Sequence, residues 1–203
     1  TPKVPNFADF HEVRSLARRA FIEDQLTQDL PFWLDKLQEF VRIDACPPSF
    51  ERKVLYELIA LRMRGMRDLV GWEPLIRRYF GPMQTIQEPN EAKDPVVVGI
   101  YTYGAVQEGG ANLSPSELKS SWDTIRVYSA KALENRTGKF TRAMLLELQG
   151  YLLLVDPYER DVERGLDTWA ELSDVIRENP LFPLESFTDM LTVLAPVIGG
   201  NPK

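Results

Sequence analysis

Cysteine and histidine are almost missing from this chain of 203 residues, which has one of each, Cys46 and His11. A single cysteine excludes an intramolecular disulfide and a zinc site built from cysteines, and it favours a reducing compartment. We therefore predict a cytoplasmic protein. A catalytic histidine needs a nucleophile or a carboxylate beside it, and no spacing around His11 implies one. Cys46 is interpreted as a small buried residue rather than a nucleophile. The sequence predicts no catalytic residue, no metal ligand and no cofactor.

Long apolar runs are also lacking. A helix that spans a bilayer takes roughly 20 consecutive apolar residues, and the run from Tyr151 to Val155 is far too short. The first seven residues do not have the pattern of a signal peptide. We therefore predict that the protein has no membrane partner.

Positive charge is scarcer than negative charge. The chain has 24 lysines and arginines against 30 aspartates and glutamates, and its net charge is -6. A surface of this sign repels phosphate, so generic binding to nucleic acid is disfavoured unless basic residues cluster locally. The chain is 44% hydrophobic, which is enough to build a core.

Apolar residues recur at helical spacing through most of the chain, as in the stripe Leu34, Leu37 and Phe40. Asp29 with Pro31, Ser114 with Pro115 and Glu117, and Asp156 with Pro157 are typical of helix starts. Gly65 indicates the weakening or end of a helix. The pattern predicts a mainly α fold, a compact bundle of about seven or eight helices.

The predicted organisation is an extended proline-rich arm over residues 1–7 and a single helical domain over residues 8–203. The N-terminal half covers residues 8–80 and the C-terminal half residues 114–198. A β and loop insert separates them over residues 81–113.

One stretch, residues 96–106, is typical of a β-strand because valine, isoleucine and tyrosine crowd it. A lone strand leaves backbone groups unpaired. We therefore predict a short β hairpin or strand near residues 83–106, with Met83 to Gln87 as the partner strand. An unsatisfied edge would recruit a strand from another chain.

The glycines Gly104, Gly109 and Gly110 follow that predicted strand and precede a helix start. A strand, a glycine loop and a helix N-terminus together form the arrangement that cradles phosphates. The lysine and hydroxyl of a P-loop are missing here, and Glu108 would repel phosphate. A plain flexible connection is the favoured interpretation.

A cluster of arginines gives the N-terminal half a local positive bias. Two tyrosines on the predicted strand would suit a protein interface. The candidate partner-binding residues are Arg62, Arg64, Arg67, Arg77, Arg78, Tyr101 and Tyr103.

Three interpretations of these arginines stay open. The first is a solvated face with ion pairs to Glu57 and Asp68. The second is a docking patch for an acidic partner. The third is a nucleic-acid groove in which Trp72, Tyr79 or Phe80 stack on bases.

The function that we predict from the sequence is a non-enzymatic protein–protein interaction or assembly module, an adaptor that binds another protein or copies of itself. The alternative is a nucleic-acid-associated structural or regulatory protein that uses the arginine-rich N-terminal half. A third hypothesis, an enzyme with an unfamiliar site in the glycine loop, has the least support from the sequence.

Overall fold

The computed structural model describes residues 7–22, 27–42, 46–81, 83, 93–134 and 138–178. These residues form eight α-helices and one short 3-10 helix, and none of them lies in a β-strand. The prediction of a mainly α chain is confirmed. Within the same residues, no helix has the length and apolar character that crossing a bilayer requires.

The helices of the described residues are numbered in chain order. Their bounds are α1 Phe7–Ile22, α2 Leu30–Val41, α3 Pro48–Met66, α4 Glu73–Phe80, α5 Asp94–Gln107, α6 Pro115–Glu134, α7 Lys139–Val155 and α8 Val162–Arg177, with the 3-10 helix at Thr27–Asp29. Internal contacts divide the chain into two units, residues 1–86 with 97–118, and residues 87–96 with 119–203. The single-domain organisation stays a prediction.

The predicted β-strand over residues 96–106 is wrong, because this stretch belongs to α5. Pro95, Val98, Thr102 and Ala105 are buried, and their spacing is that of one helical face. Tertiary burial therefore overrides the strand preference of valine and tyrosine. Asp94 directly before Pro95 is the same start signal that marks other helices of this chain. No hairpin is present in the described residues, which include Met83 but not the rest of the predicted partner strand.

In the first unit, α3 packs against α1, α2 and α4. Phe10 of α1, Phe40 of α2 and Phe50 of α3 meet edge to face, with ring centroids 5.4 to 6.2 Å apart. Such pairs add to the stability that burial alone provides. Helices α1 to α3 therefore share one aromatic core.

In the second unit, α7 and α8 pack together around Ala143, Leu146 and Leu172. The prediction that α8 starts at Asp156 is wrong. Asp156 instead accepts hydrogen bonds from two backbone N–H groups of the turn that follows it. The helix begins at Val162, and Asp161 caps it by accepting a hydrogen bond of 3.0 Å from the N–H of Arg164.

The predicted capping box at the start of α6 is confirmed. The Ser114 hydroxyl accepts a hydrogen bond of 3.2 Å from the Glu117 N–H, and the Glu117 carboxylate accepts one of 2.8 Å from the Ser114 N–H. Each side chain thus accepts a hydrogen bond from the backbone N–H of the other residue, which would otherwise have no partner within the helix. The N-terminal arm except Phe7, and residues 179–198 of the predicted C-terminal half, lie outside the described residues.

Gly104 tests the helical state of α5. We expect Gly104→Ala to stabilise the protein by about 0.5 to 1 kcal/mol, because alanine favours a helix over glycine and an added methyl group meets no atom within 4 Å. Gly104→Val should gain less, since β-branched residues are poorer helix formers. Urea unfolding of both variants gives the comparison. A valine variant more stable than the alanine variant would contradict a helix, because strands favour valine.

Glu117 makes the stability of α6 sensitive to acid. Hydrogen bonds from the Ser114 N–H, from the Ser114 hydroxyl and from Arg77 lower the pKa of Glu117 to about 2. A lowered carboxyl pKa stabilises the fold above the unfolded-state pKa, and this stabilisation disappears as the pH falls from about 4.3 toward 2. We expect Glu117→Gln to unfold more easily than the wild type at pH 7 and to lose less stability at pH 3. An equal loss in both proteins, measured by urea titration, would refute the link.

Candidate functional site

The loop between α3 and α4, residues 67–72, is held in place by its own buried residues. Leu69 and Trp72 are buried. The Leu69 N–H donates a hydrogen bond of 2.7 Å to the Gly110 carbonyl, and the Trp72 N–H donates one of 2.9 Å to the Leu69 carbonyl. The backbone of this loop is therefore tied both to itself and to the turn after α5.

Arg62 fastens the same loop from α3. It donates hydrogen bonds to the Asp68 carbonyl at 3.1 Å and to the Asp68 carboxylate at 2.6 Å, and its guanidinium lies 4.8 Å from the centroid of the Trp72 ring. Only 17% of its side chain is exposed. Asp68 also accepts a hydrogen bond from the Val70 N–H. Arg62, a candidate binding residue, is thus a loop anchor.

Arg67 has an unusual backbone conformation at the end of α3. Its φ is 55°, in the left-handed region, and its N–H donates a hydrogen bond to the Met63 carbonyl. Glycine is the usual residue there, since any other L-residue pays roughly 1 to 2 kcal/mol. Arg67 is the one non-glycine residue with positive φ in the described part of the chain. Its side chain is exposed.

Two large apolar side chains beside Arg67 face solvent. Met66 is 45% exposed and Val70 is 60% exposed. Arg64, close by on α3, is also exposed. We call these four residues, Arg64, Met66, Arg67 and Val70, the Arg67 surface. It presents two cations and two apolar groups on a fixed backbone.

Arg64 also contacts α5. Its Nε donates a hydrogen bond of 3.1 Å to the Tyr101 hydroxyl. Tyr101 and Tyr103 are both half-buried on α5. The structure thus brings Tyr101 to the edge of the Arg67 surface, although as part of a helix rather than of an exposed strand.

The two arginines of α4 are neutralised by carboxylates. Arg77 forms an ion pair of 2.8 Å with Glu117. Arg78 pairs with Glu51, and it donates a hydrogen bond of 2.9 Å to the Val41 carbonyl. Arg62 is paired with Asp68 in the same way. Of the five candidate arginines, Arg64 and Arg67 have no ion pair with the residues that the structure describes.

Glu57, predicted as an ion-pair partner for the arginine cluster, is instead buried against α1. Arg14 lies 3.1 Å from its carboxylate, and Arg18 donates hydrogen bonds to both oxygens. Glu57 is therefore a structural residue that holds α1 on α3. The other predicted partner, Asp68, does pair with the cluster, through Arg62.

The glycine loop is a helix end rather than a loop after a strand. Gly109 has a φ of 76°. Its N–H donates to the Val106 carbonyl, and the Gly110 N–H donates to the Ala105 carbonyl, which is the pattern of a Schellman cap. The next turn uses the Asn112 N–H to contact Glu73 at 2.8 Å. These amides already have protein acceptors, which disfavours a phosphate cradle.

Cys46 and His11 lie apart from the Arg67 surface. Burial, and then the nearby carboxylate of Glu51, raise the pKa of the Cys46 thiol, which disfavours the reactive thiolate at neutral pH. His11 is exposed beside the ring of Phe10. Across the described ranges, histidine, cysteine and carboxylate side chains do not gather in groups of three that would hold a metal ion.

Sequence reasoning missed two features of this site. Gly65 is predicted to weaken or end α3, but the helix continues through Met66 and the left-handed residue is Arg67. Nothing in the residue types marks Arg67 as left-handed. The exposure of Val70 was also unpredicted, because a valine next to Gly71 and Trp72 is equally consistent with a buried position.

Arg62→Lys tests whether Arg62 anchors the loop. We expect this substitution to lower the free energy of unfolding by about 1 to 2 kcal/mol, because lysine keeps the charge but loses the forked hydrogen bonds and the stacking on Trp72. Arg160→Lys is the matched control, since Arg160 is exposed and has no ion pair with the described residues. Equal stability of the two variants in urea unfolding would show that Arg62 does not anchor the loop.

Comparison with known proteins finds no matching family model, no similar curated protein and no similar solved structure. No residue role is therefore transferred to this chain from a relative. The role of the Arg67 surface has to be inferred from its own exposure, charge and backbone geometry.

Proposed function

We propose that this protein is a non-enzymatic protein–protein interaction module, and that the Arg67 surface binds an acidic and partly apolar segment of another protein. The observation that carries the proposal is the solvent exposure of two apolar side chains near Arg67: Met66 at the end of α3 and Val70 on the anchored loop. Interfaces of this kind combine apolar contact with arginine.

The rigidity of the loop supports the proposal. Leu69 and Trp72 are buried while Met66 and Val70, on either side of Leu69, are exposed. A surface whose backbone is already ordered loses little conformational entropy when a partner binds. Apolar side chains on such a loop therefore contribute more to affinity than the same side chains on a flexible loop.

Charge supports an acidic partner. Arg64 and Arg67 are exposed and have no carboxylate partner within the described residues, whereas the arginines at positions 62, 77 and 78 do. Pairing with a partner carboxylate would steer association and fix its register.

The backbone conformation of Arg67 also supports the proposal. A left-handed non-glycine residue persists at a cost in stability, and such residues concentrate at functional sites. Glycine would cap α3 at a lower conformational cost. We infer that the Arg67 side chain makes a contact outside the described part of the chain.

The nucleic-acid alternative has less support. A groove that tracks phosphates needs a row of free cations with aromatic platforms. Arg77 and Arg78 pair with carboxylates, and Trp72, Tyr79 and Phe80 are all buried. The aromatic residues proposed for stacking are thus part of the core.

Fluorescence anisotropy with a labelled peptide of alternating aspartate and leucine tests the proposal. A peptide of alternating asparagine and leucine and a single-stranded oligonucleotide serve as comparison probes. We expect saturable binding of the acidic peptide alone. The double variant Arg64→Glu with Arg67→Glu should weaken it at least tenfold, because each pair changes from attraction to repulsion. Light scattering of the protein alone shows whether a second copy is the partner.

The double variant has a matched control in Arg19→Glu, an exposed arginine on α1. Arg67→Gly is the second control. It removes the side chain and relieves the strained φ, so binding should weaken while thermal stability stays equal or rises. Peptide binding that survives the double variant, or tighter binding of the oligonucleotide than of the peptide, would overturn the proposal.

A further inference from the structure

The second unit has a cavity of about 210 Å³ that the Arg67 surface does not involve. It lies between the C-terminal half of α6 and the C-terminal half of α7. The turn after α7 and the first turn of α8 complete its wall. Ala130, Leu152 and Leu153 form the apolar part of that wall.

Arg126 lines the cavity and is held in place by carboxylates. Its guanidinium pairs with Asp123 and with the buried Asp156, and its Nε lies 3.4 Å from the Glu159 carboxylate. Asp156 also accepts hydrogen bonds from the N–H groups of Tyr158 and Glu159. Arg126 and Asp156 are thus occupied by the protein itself. Glu159, with 61% of its side chain exposed, keeps most of its acceptor capacity.

Three further polar groups on the wall lack side-chain partners within the described residues. They are the hydroxyl of Ser129, the amide of Gln149 and the guanidinium of Arg164. Ser129 is only 3% exposed. Both side chains line the cavity, so the Ser129 hydroxyl and the Gln149 amide can form hydrogen bonds with a polar occupant.

The charges on the wall restrict that occupant. Arg126 and Arg164 are positive and Asp156 and Glu159 are negative, so the wall sums to zero. Asp123, just outside it, is balanced by Lys119 at 3.2 Å. A carboxylate alone pairs with Arg164 but makes no use of Glu159, whose exposed carboxylate contacts Arg126 at 3.4 Å. A ligand that carries both signs gains at both ends.

From this geometry we propose that the cavity binds a small zwitterion, an α-amino acid with an apolar side chain. The carboxylate contacts Arg164 and the ammonium contacts Glu159. The side chain lies against Leu152 and Leu153. This proposal does not depend on the function proposed for the Arg67 surface, because it involves only residues of the second unit.

The size of the cavity fits an α-amino acid. A cavity of about 150 Å³ accommodates benzene, so one of about 210 Å³ holds a ligand of roughly ten non-hydrogen atoms. Typical pockets for larger ligands start near 300 Å³, which disfavours nucleotides and other large cofactors.

Titration of the isotope-labelled full chain with L-leucine, followed by NMR chemical shifts, tests the proposal. We expect saturable shifts at Ser129, Gln149 and Arg164 with a Kd on the order of 1 mM. The same titration uses 4-methylpentanoate, which lacks the ammonium group, and isoamylamine, which lacks the carboxylate. Each should bind about tenfold more weakly, because each forfeits one charged hydrogen bond.

Glu159→Gln and Arg164→Gln should each weaken leucine binding about tenfold. Both side chains are exposed, so these variants are expected to fold normally. Glu163→Gln, an exposed change on the same helix turn but outside the cavity wall, is the control and should bind like the wild type. Ala130→Trp should block the cavity entrance. No saturable shift with leucine, or equal binding by either single-charge analogue, would overturn the proposal.

Discussion

The burial of α3 on nearly every side is the constraint on which the first unit depends. Val54, Leu55, Leu58, Ile59 and Leu61 are all buried, and three other helices pack around them. The Glu57 carboxylate is buried in the middle of this helix, and a buried charge needs partners of opposite sign from a neighbouring helix. Arg14 and Arg18 supply them. Arg64 is the one polar residue of α3 that is classed as exposed, and it lies near the C-terminal end of the helix, where the Arg67 surface begins.

The distribution of carboxylates decides which arginines remain available. Asp68, Glu51 and Glu117 each take one arginine of the candidate cluster and leave Arg64 and Arg67 on the surface. The same principle shapes the cavity of the second unit, where Arg126 is occupied and Arg164 is not. Both proposed binding sites thus use cations that no carboxylate of the described residues neutralises.

Local signals predicted much of the helical fold. The helix start predicted from Ser114, Pro115 and Glu117 is confirmed, because a cap and a first-turn proline act on the backbone next to them. The strand prediction for residues 96–106 failed because strand propensity measures how a side chain fits a half-buried surface. In α5 one helical face, with Val98, Thr102 and Ala105, is buried while the backbone stays helical. Asp94 with Pro95 carried the correct signal, but the run of valines outweighed it.

The candidate site was predictable only as a list of residues. Composition and apolar periodicity were enough to predict an acidic, mainly helical chain that is locally rich in arginine, because neither depends on contacts between distant residues. Three properties of the site follow only from the folded chain: Arg62 anchors a loop, Arg67 takes a left-handed backbone, and Met66 and Val70 face solvent. These properties depend on residues distant in the chain, such as Gly110, whose carbonyl fixes the loop at Leu69. No local pattern encodes such a contact.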